Sequence, residues 1–247
     1  MDKPKILAVT LARGGSKGVP RKNVLPVNGI PLIAYTIAEA RRSKLITRYL
    51  VSTDDDEIQK IAVEYGAEAP FLRPAELSGD AVSSVGPLQH AVRWAEQDGK
   101  CRYDYVVELM CTSPMKTTAH IDGALEKLIA TGADSVIGVS RLEDHHPARI
   151  KKVVDDRLVD FCVPEVVNSR RQDLKPDAYI RNGSIYAMRR DSLMVNNARY
   201  GTADSRPYVM PEECLVNVDS RTDVVVAEAL LAKNPRPYVR AIKEAVG

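Results

Sequence analysis

The chain has few cysteines, no long apolar run and no apolar signal segment at its start. Its 247 residues contain four widely spaced cysteines without a Cys-x-x-Cys pair, namely Cys101, Cys111, Cys162 and Cys214. This spacing indicates neither a zinc site nor a disulfide framework. The lack of an apolar run of membrane-spanning length leads us to expect a soluble, cytoplasmic protein with no membrane partner.

An excess of charge is also lacking, because the net charge is only +2. Nucleic-acid binding usually needs a strongly basic face, so we expect no nucleic-acid partner. The positive charge is instead local, in a loop near the N-terminus and at Arg170-Arg171, which suits a small anionic ligand. A solvated surface pair is the alternative interpretation of Arg170-Arg171.

The most informative segment follows the apolar stretch 6–11. It holds three glycines and four cations within residues 13–22: Arg13, Gly14, Gly15, Lys17, Gly18, Arg21 and Lys22. Glycines permit positive φ and a close approach of the backbone to a ligand, and the cations offset phosphate charge. The segment therefore predicts a loop that binds a nucleotide, the alternative being an ordinary solvated loop.

Two known phosphate-binding patterns do not fit this loop, since it has neither a closing Gly-Lys-Ser/Thr nor the dinucleotide-binding spacing. Residues 14–18 do match the Gly-x-Ser-x-Gly nucleophile elbow, with Ser16 as the nucleophile. Pro20 and further polar residues stand where that elbow requires a helix, however, and no earlier strand is available for its oxyanion loop. A serine hydrolase is therefore disfavoured.

Apolar runs alternate with amphipathic segments along the chain. The runs 6–11, 49–52, 105–109 and 135–139 predict buried strands, and helices are predicted from Pro31 to about Arg42, before Gly66, and from Thr117 or Thr118 to just before Gly132. This order predicts an α/β fold with a doubly wound, mostly parallel sheet. Ligands of such sheets lie at the carboxyl ends of the strands, so the polar turns near 13, 53 and 112 should face one crevice.

The pattern changes between about 141 and 176, where short charged and β-like pieces replace the alternation. Such a segment cannot bury its own apolar side chains. It is interpreted either as an arm that packs on a second subunit or as a surface hairpin of a monomer.

Several of these segments resemble the acylneuraminate cytidylyltransferase family, whose members make CMP-sialic acid and related CMP-sugars. The similar blocks are 11–23, 27–32, 51–55, 73–77, Thr112-Ser113-Pro114, His145-His146-Pro147 and Asn182-Gly183-Ser184-Ile185-Tyr186. They occur in the family's order and span nearly the whole chain. The resemblance implies a Rossmann-like fold of the nucleotide-diphospho-sugar transferase type, in one domain over 1–247 with a dimerisation arm inserted at about 141–178. It further implies a homodimer, which could pair again into a tetramer.

The implied reaction transfers CMP from CTP to the anomeric hydroxyl of a 2-keto-3-deoxy sugar acid and releases pyrophosphate. The resemblance assigns catalysis to Arg13, Lys22 and Asp219. It assigns nucleotide binding to Arg13, Gly14, Gly15, Ser16, Lys17, Arg21, Lys22, Asn23, Arg73 and Ser83. It assigns sugar binding to Thr112, Ser113, Arg149, Arg171, Gln172 and Asn182.

Three of these residues also have structural interpretations. Arg73 could form a salt bridge at a helix edge, Ser83 could cap the helix that contains Leu88, and Asp219 could cap a helix that begins near Ser220. The adjacent His145 and His146 would point to opposite sides of an extended segment, which favours packing over joint metal binding.

The implied cofactor is Mg²⁺, held by Asp219 and Asn217. The family has Asp-x-Asp where this chain has Asn217-Val218-Asp219, so one ligand loses its charge. Two further departures follow. Met110-Cys111 precedes Thr112 where sialic-acid enzymes commonly have Gln-Pro, and in Ile180-Arg181-Asn182 the arginine is directly before the asparagine, whereas many relatives have it two places before. Together they suggest an acceptor other than N-acetylneuraminate, such as a deaminated, 5,7-diamino or eight-carbon acid.

Two alternative functions remain open from the sequence. One is a nucleotidyltransferase of the same fold with another nucleoside triphosphate or acceptor. The other is a nucleotide-binding regulatory protein without turnover. Release of pyrophosphate would separate the second from the enzymes.

Overall fold

The computed structural model describes residues 3–16 and 18–246. Its strands are β1 (Ile6–Ala12), β2 (Pro26–Val27), β3 (Ile30–Pro31), β4 (Arg48–Thr53), β5 (Tyr105–Leu109), β6 (Ser135–Arg141), β7 (Lys151–Val154), β8 (Arg157–Asp160), β9 (Tyr179–Arg189) and β10 (Ser205–Val209). Its helices are α1 (Leu32–Arg42), α2 (Asp56–Glu64), α3 (Val85–Gly99), α4 (Thr118–Thr131), α5 (Arg190–Met194), α6 (Arg221–Lys233) and α7 (Pro237–Val246).

The central sheet has the strand order β10-β6-β9-β5-β1-β4. β1 runs parallel to β4 and β5, and β6 runs parallel to β10, whereas β9 is antiparallel to both of its neighbours. The predicted α/β class with a mostly parallel sheet is therefore confirmed. The antiparallel β9 was not predicted; it follows the arm.

Two hydrophobic clusters cover opposite faces of this sheet. Alternate residues of β1 enter different clusters, with Ile6 and Ala8 in one and Leu7 and Val9 in the other. The first cluster packs against α1, α2, α4, α6 and α7, and the second against α3 and α5. The sheet is thus doubly wound, as predicted.

The predicted helix boundaries agree closely where local capping determines them. Thr117 and His120 form a capping box at the start of α4, and Gly132 ends the helix at φ +62°. Two cap interpretations are wrong. The residue before α3 is Ser84, without a side-chain cap bond, rather than Ser83. At α6 the cap is Ser220, in a box with Asp223, rather than Asp219.

The arm between β6 and β9 folds as a separate two-stranded hairpin, in which β7 and β8 are antiparallel. Its apolar side chains are largely open to solvent: Val153, Leu158, Phe161, Val166 and Val167. Within the part of the chain that the structure describes, no helix is sufficiently long and apolar to cross a membrane.

Candidate functional site

A crevice of about 380 Å³ lies at the carboxyl edge of the sheet, beside the ends of β1 and β5. Its walls are the loop after β1, the segment 77–84 before α3, and the turn after β5. It brings together eight of the residues that the resemblance assigned: Arg13, Ser16, Lys22, Asn23, Arg73, Ser83, Thr112 and Asp219.

Asn23 anchors the loop after β1. Its buried amide Nδ2 donates to the carbonyl of Arg13 at 2.9 Å, and its Oδ1 faces the Cys111 thiol at 3.0 Å. Lys22, Asn23 and Val24 form a 3-10 turn. Because α1 begins only at Leu32, the helix that a nucleophile elbow at Ser16 would require is absent from residues 18–31.

The loop glycines serve close packing rather than positive φ. A Cβ on Gly14 would strike the Asp55 carboxylate, and one on Gly18 would strike the carbonyl of Asp219, whereas Gly15 has open space. None of the three uses the positive φ that glycine permits, and among the described residues of the loop Arg21 is left-handed, at φ 56°. Lys17 lies outside the described residues.

Arg21 points away from the crevice, toward the start of α2. Its guanidinium donates to both Asp55 oxygens, at 2.5 and 3.1 Å, and pairs with Glu57. This hydrogen bond lowers the pKa of Asp55, which also caps α2 through the amide of Ile58. Arg21 therefore anchors the loop, and its assigned phosphate contact stays a prediction.

Two other cations of the loop are positioned by carboxylates at the crevice. Arg13 Nη1 lies 2.7 Å from Asp80 Oδ1, and Lys22 Nζ lies 2.6 Å from Asp219 Oδ1. The second oxygen of Asp219 accepts from the amide of Asn217. Both cations are thus held at the crevice wall, where an anionic ligand would meet them.

Arg73 crosses the opposite wall, almost fully buried. Its guanidinium donates to the carbonyl of Ser52 at 2.9 Å and to the hydroxyl of Ser78 at 3.1 Å, and lies 3.8 Å from Asp54. Burial lowers its pKa. Among the described residues, Asp54 is its salt-bridge partner at 3.8 Å, and the shorter hydrogen bonds to Ser52 and Ser78 are the main contacts of Arg73.

Lys116, which the sequence analysis missed, supports the turn after β5. It is fully buried, and its ammonium donates to Thr36 Oγ1 and to the carbonyls of Met110 and Ser113, at 2.9, 2.6 and 2.7 Å. Burial lowers its pKa to about 7. The signal available was a lone lysine between apolar Met115 and the N-cap of α4.

Ser113 and Asn182 join β5, β6 and β9 beneath the crevice. Ser113 Oγ donates to the carbonyl of Gly183 at 3.1 Å. The buried amide of Asn182 donates to Ser140 Oγ and accepts from the backbone amide of Ser184, each at 3.1 Å. These bonds span the register shift between β6 and β9. Sugar contacts by Ser113 and Asn182 therefore stay predictions.

The remaining assigned residues belong to the arm and do not line the crevice of the described chain. Arg149 faces Glu165 at 3.9 Å, Arg171 pairs with Asp144 at 3.2 Å, and Gln172 shares a smaller hollow with Arg171. His146 is buried against the carbonyl of Pro176, as a packing residue should be.

Of the candidate metal ligands, Asp219 lines the crevice, and Asn217 donates its amide nitrogen to Asp219 while its oxygen accepts from Ser113 Oγ at 3.3 Å. The described residues contain no group of three His, Cys, Asp or Glu side chains that could hold a metal ion. One carboxylate and one amide oxygen fit a Mg²⁺ ion that takes its other ligands from water and substrate phosphates, which is its usual mode of binding.

The sequence analysis also missed an ion pair, Glu108 with Arg199, at the β5–β9 side of the crevice. Glu108 of β5 is fully buried and lines the crevice, and Arg199 pairs with it. Arg199 also lies over the ring of Tyr186, 3.5 Å from its centroid. The two residues are 91 positions apart, so the sequence offers no sign that they pair. The one available signal was the charged Glu108 within the apolar run 105–109.

Comparison with known proteins gives consistent matches over this architecture. The family model described as "Cytidylyltransferase" matches residues 7–200. The chain is 32% identical over 227 residues to post-translational flagellin modification protein B of Campylobacter coli, covering 92% of this chain and 95% of that protein. It is 32% identical over 239 residues to CMP-N,N'-diacetyllegionaminic acid synthase of Campylobacter jejuni, covering 94% and 98%.

The fold also matches a solved CMP:2-keto-3-deoxy-manno-octonic acid synthetase in complex with CTP. The TM-score is 0.68 at 19% identity, with 93% of this chain and 99% of that chain covered. At this identity the likeness concerns the fold alone.

Proposed function

The chain belongs to the cytidylyltransferase family, and from that premise we propose that it transfers CMP from CTP to the anomeric hydroxyl of a 2-keto-3-deoxy sugar acid. The crevice supports this most directly, because it joins the cations of the loop after β1 to Arg73 and Asp219. The acceptor belongs to the nonulosonate or octulosonate acids, and the departures at Met110 and Arg181 favour one other than N-acetylneuraminate.

The reaction asks for alignment and charge neutralisation rather than a covalent nucleophile. The anomeric hydroxyl loses its proton to water as its oxygen bonds to the α-phosphorus, and the bond from the α-phosphorus to the oxygen bridging to the β-phosphate breaks, so that this oxygen leaves with pyrophosphate. Lys22 and Arg13 neutralise charge on the departing pyrophosphate. Ser16 binds a phosphate oxygen, and Arg73 and Ser83 form the wall for cytosine.

Mg²⁺ is the cofactor in this proposal, with Asp219 and Asn217 as its protein ligands. Bound there, it would supply further neutralisation of the phosphate oxygens. Asp219 would then exchange its contact with Lys22 for the metal, which frees the Lys22 ammonium to meet phosphate. The Asp219→Ala variant should retain the fold by circular dichroism and lose Mg²⁺-dependent CTP binding. Unchanged binding would remove Asp219 from the metal site.

The arm joins two copies of the chain into a homodimer in this proposal. Its exposed side chains Val153 and Leu158 face each other across β7 and β8 and need an apolar partner. Arg149, Arg171 and Gln172 would then act in the crevice of the neighbouring copy, since they do not reach their own.

Pyrophosphate release tests the whole proposal. Purified protein is incubated with Mg²⁺, each of the four nucleoside triphosphates in turn, and a panel of eight- and nine-carbon 2-keto-3-deoxy acids. Release that requires CTP and one class of acid is expected. Release with another triphosphate or acceptor would favour a different nucleotidyltransferase, and CTP binding without release would favour a regulatory protein.

A further inference from the structure

Glu108 is a buried carboxylate that lines an open crevice. It stands at the end of β5, paired in register with Tyr186 of β9, and its side chain is fully buried. Arg199 Nε pairs with one of its oxygens and the Ser84 hydroxyl is a second nearby donor, but neither contact among the described residues has the full geometry of a hydrogen bond. A buried carboxylate with open acceptor positions is costly, which points to a ligand that completes it.

Arg199 is fixed in place by aromatic rings rather than by other carboxylates. Its guanidinium lies 3.5 Å from the centroid of Tyr186 and 5.6 Å from that of Tyr200, and one of its nitrogens is 3.7 Å from Met110 Sδ. The guanidinium of Arg181 also lies over the ring of Tyr200, 4.2 Å from its centroid. Since cation–π contacts hold Arg199 in position, Glu108 is held rigidly as well.

The strand order places the pair on the opposite side of β1 from Arg73, while Ser84, next to Ser83, contacts Glu108. Arg73 follows β4, on one side of the central loop after β1, whereas Glu108 and Tyr186 belong to β5 and β9 on the other side. If cytosine lies against Arg73 and the triphosphate against the loop, the acceptor is left with the β5–β9 side. This step rests on the function proposed above.

We propose that the Glu108–Arg199 pair selects the acceptor sugar acid, with Glu108 accepting a hydrogen bond from an N–H or O–H group on the sugar. An acceptor without such a donor would leave the carboxylate desolvated and unpaired. Sites built in this way reject analogues that lack the donor far more strongly than apolar pockets reject analogues of the wrong size.

The test compares pairs of acceptors that differ only at one ring substituent, where one member carries hydroxyl, amide or ammonium and the other carries hydrogen. In the wild-type protein, one such pair should differ in kcat/KM by at least ~10³-fold. Glu108→Leu combined with Arg199→Leu removes both charges together and should reduce that preference to within about 3-fold. The KM for CTP should change by less than about 2-fold.

Glu108→Gln identifies the donor and remains informative if the double variant does not fold. Glutamine keeps an acceptor oxygen but loses the charge, so a preference for hydroxyl or amide should survive in part and one for ammonium should fall at least ~10-fold. Glu96→Gln is the matched control, because Glu96 pairs with Arg190 at 2.7 Å away from the crevice. This control should keep the wild-type acceptor preference.

Two outcomes would overturn the inference. The first applies if the wild type releases pyrophosphate. If the folded Glu108 variants then keep the wild-type acceptor preference, or lose affinity for CTP and for the acceptor equally, the pair does not select the acceptor. If the wild type releases no pyrophosphate with any acceptor, the proposed function itself fails, and this inference fails with it.

Discussion

Lys116 and Glu108 are fully buried at the carboxyl end of β5, whereas Leu158 and Val167 of the arm are 77% and 85% exposed. The usual distribution of polar and apolar side chains is therefore reversed in both regions. At the end of β5, Lys116 donates to backbone carbonyls, and Glu108 pairs with the guanidinium of Arg199 beside the crevice. Buried polar networks of this kind make the surrounding structure rigid. In the arm, apolar side chains remain without cover within the described chain, as the proposed dimer would require.

The largest effect is expected at the crevice cation Lys22. Lys22→Ala should lower kcat by about 10²- to 10³-fold, because it removes a positioned charge from the departing pyrophosphate. Steady-state pyrophosphate release measures the change. Lys152→Ala, which removes an exposed arm lysine, is the control and should remain within 2-fold of the wild type. A near-wild-type rate for Lys22→Ala would show that a cation at the crevice matters no more than one on the arm.

A loss of about 3 kcal/mol in the free energy of unfolding is expected for Lys116→Met. The substitution preserves side-chain volume but leaves Thr36 Oγ1 and the carbonyls of Met110 and Ser113 without their buried donor. Urea denaturation measures the change, and Lys152→Met should shift it by less than about 0.5 kcal/mol.

The pH dependence of this difference provides a second check. Burial holds the pKa of Lys116 at about 7, while an unfolded lysine titrates near 10.4. The unfolded state therefore binds more protons between these values, so the contribution of Lys116 to stability rises with pH. The gap between the wild type and Lys116→Met should widen from pH 7 to pH 9. A constant gap would contradict the lowered pKa.

A change in assembly rather than in chain stability is expected from the arm. Leu158→Asp should weaken self-association by at least ~10-fold, since it places a charge among apolar side chains at the interface. Analytical ultracentrifugation over a range of concentrations measures this. Arg157→Gln, on the neighbouring position of β8, should leave association unchanged. If the wild type is monomeric at all concentrations, the arm is a surface hairpin.

The smallest effect is expected where the loop after β1 is anchored by exposed charges. Arg21→Gln should lower the free energy of unfolding by no more than about 1 kcal/mol at pH 7, because solvent screens the pair with Asp55. Arg21 lowers the pKa of Asp55, so its contribution is present above the unfolded value near 3.9 and is lost as pH falls through the folded pKa. The variant and the wild type should therefore converge once the pH falls below the lowered pKa of Asp55, and a difference that persists in the acid limit would refute the pairing.

The sequence predicted those parts of the fold that depend on neighbouring residues. Buried strands were expected at 105–109 and 135–139 and observed as β5 and β6, and Thr117 and Gly132 bound α4 as expected. Of the three turns expected to face one crevice, those near 13 and 112 line it and the turn near 53 does not. The direction of β9 could not be read from its apolar pattern, since parallel and antiparallel strands can bury the same side chains.

Residue roles were harder to predict wherever one residue type serves two purposes. Arg21 belongs to the cationic loop, but its partners are carboxylates of α2. Asn182 matches the motif of a sugar ligand, but its amide is engaged within the sheet. Gly14 and Gly18 are needed, although for the approach of Asp55 and Asp219 rather than for positive φ.

By itself, the sequence determined the α/β order, the helix ends and the concentration of cations after the first strand, because these depend on propensities and spacing within a few residues. Tertiary structure alone decided that Lys22 meets Asp219, 197 positions away, and that Glu108 is buried beside Arg199. Desolvation and ion pairing depend on which distant segments come together, and no local pattern carries that information.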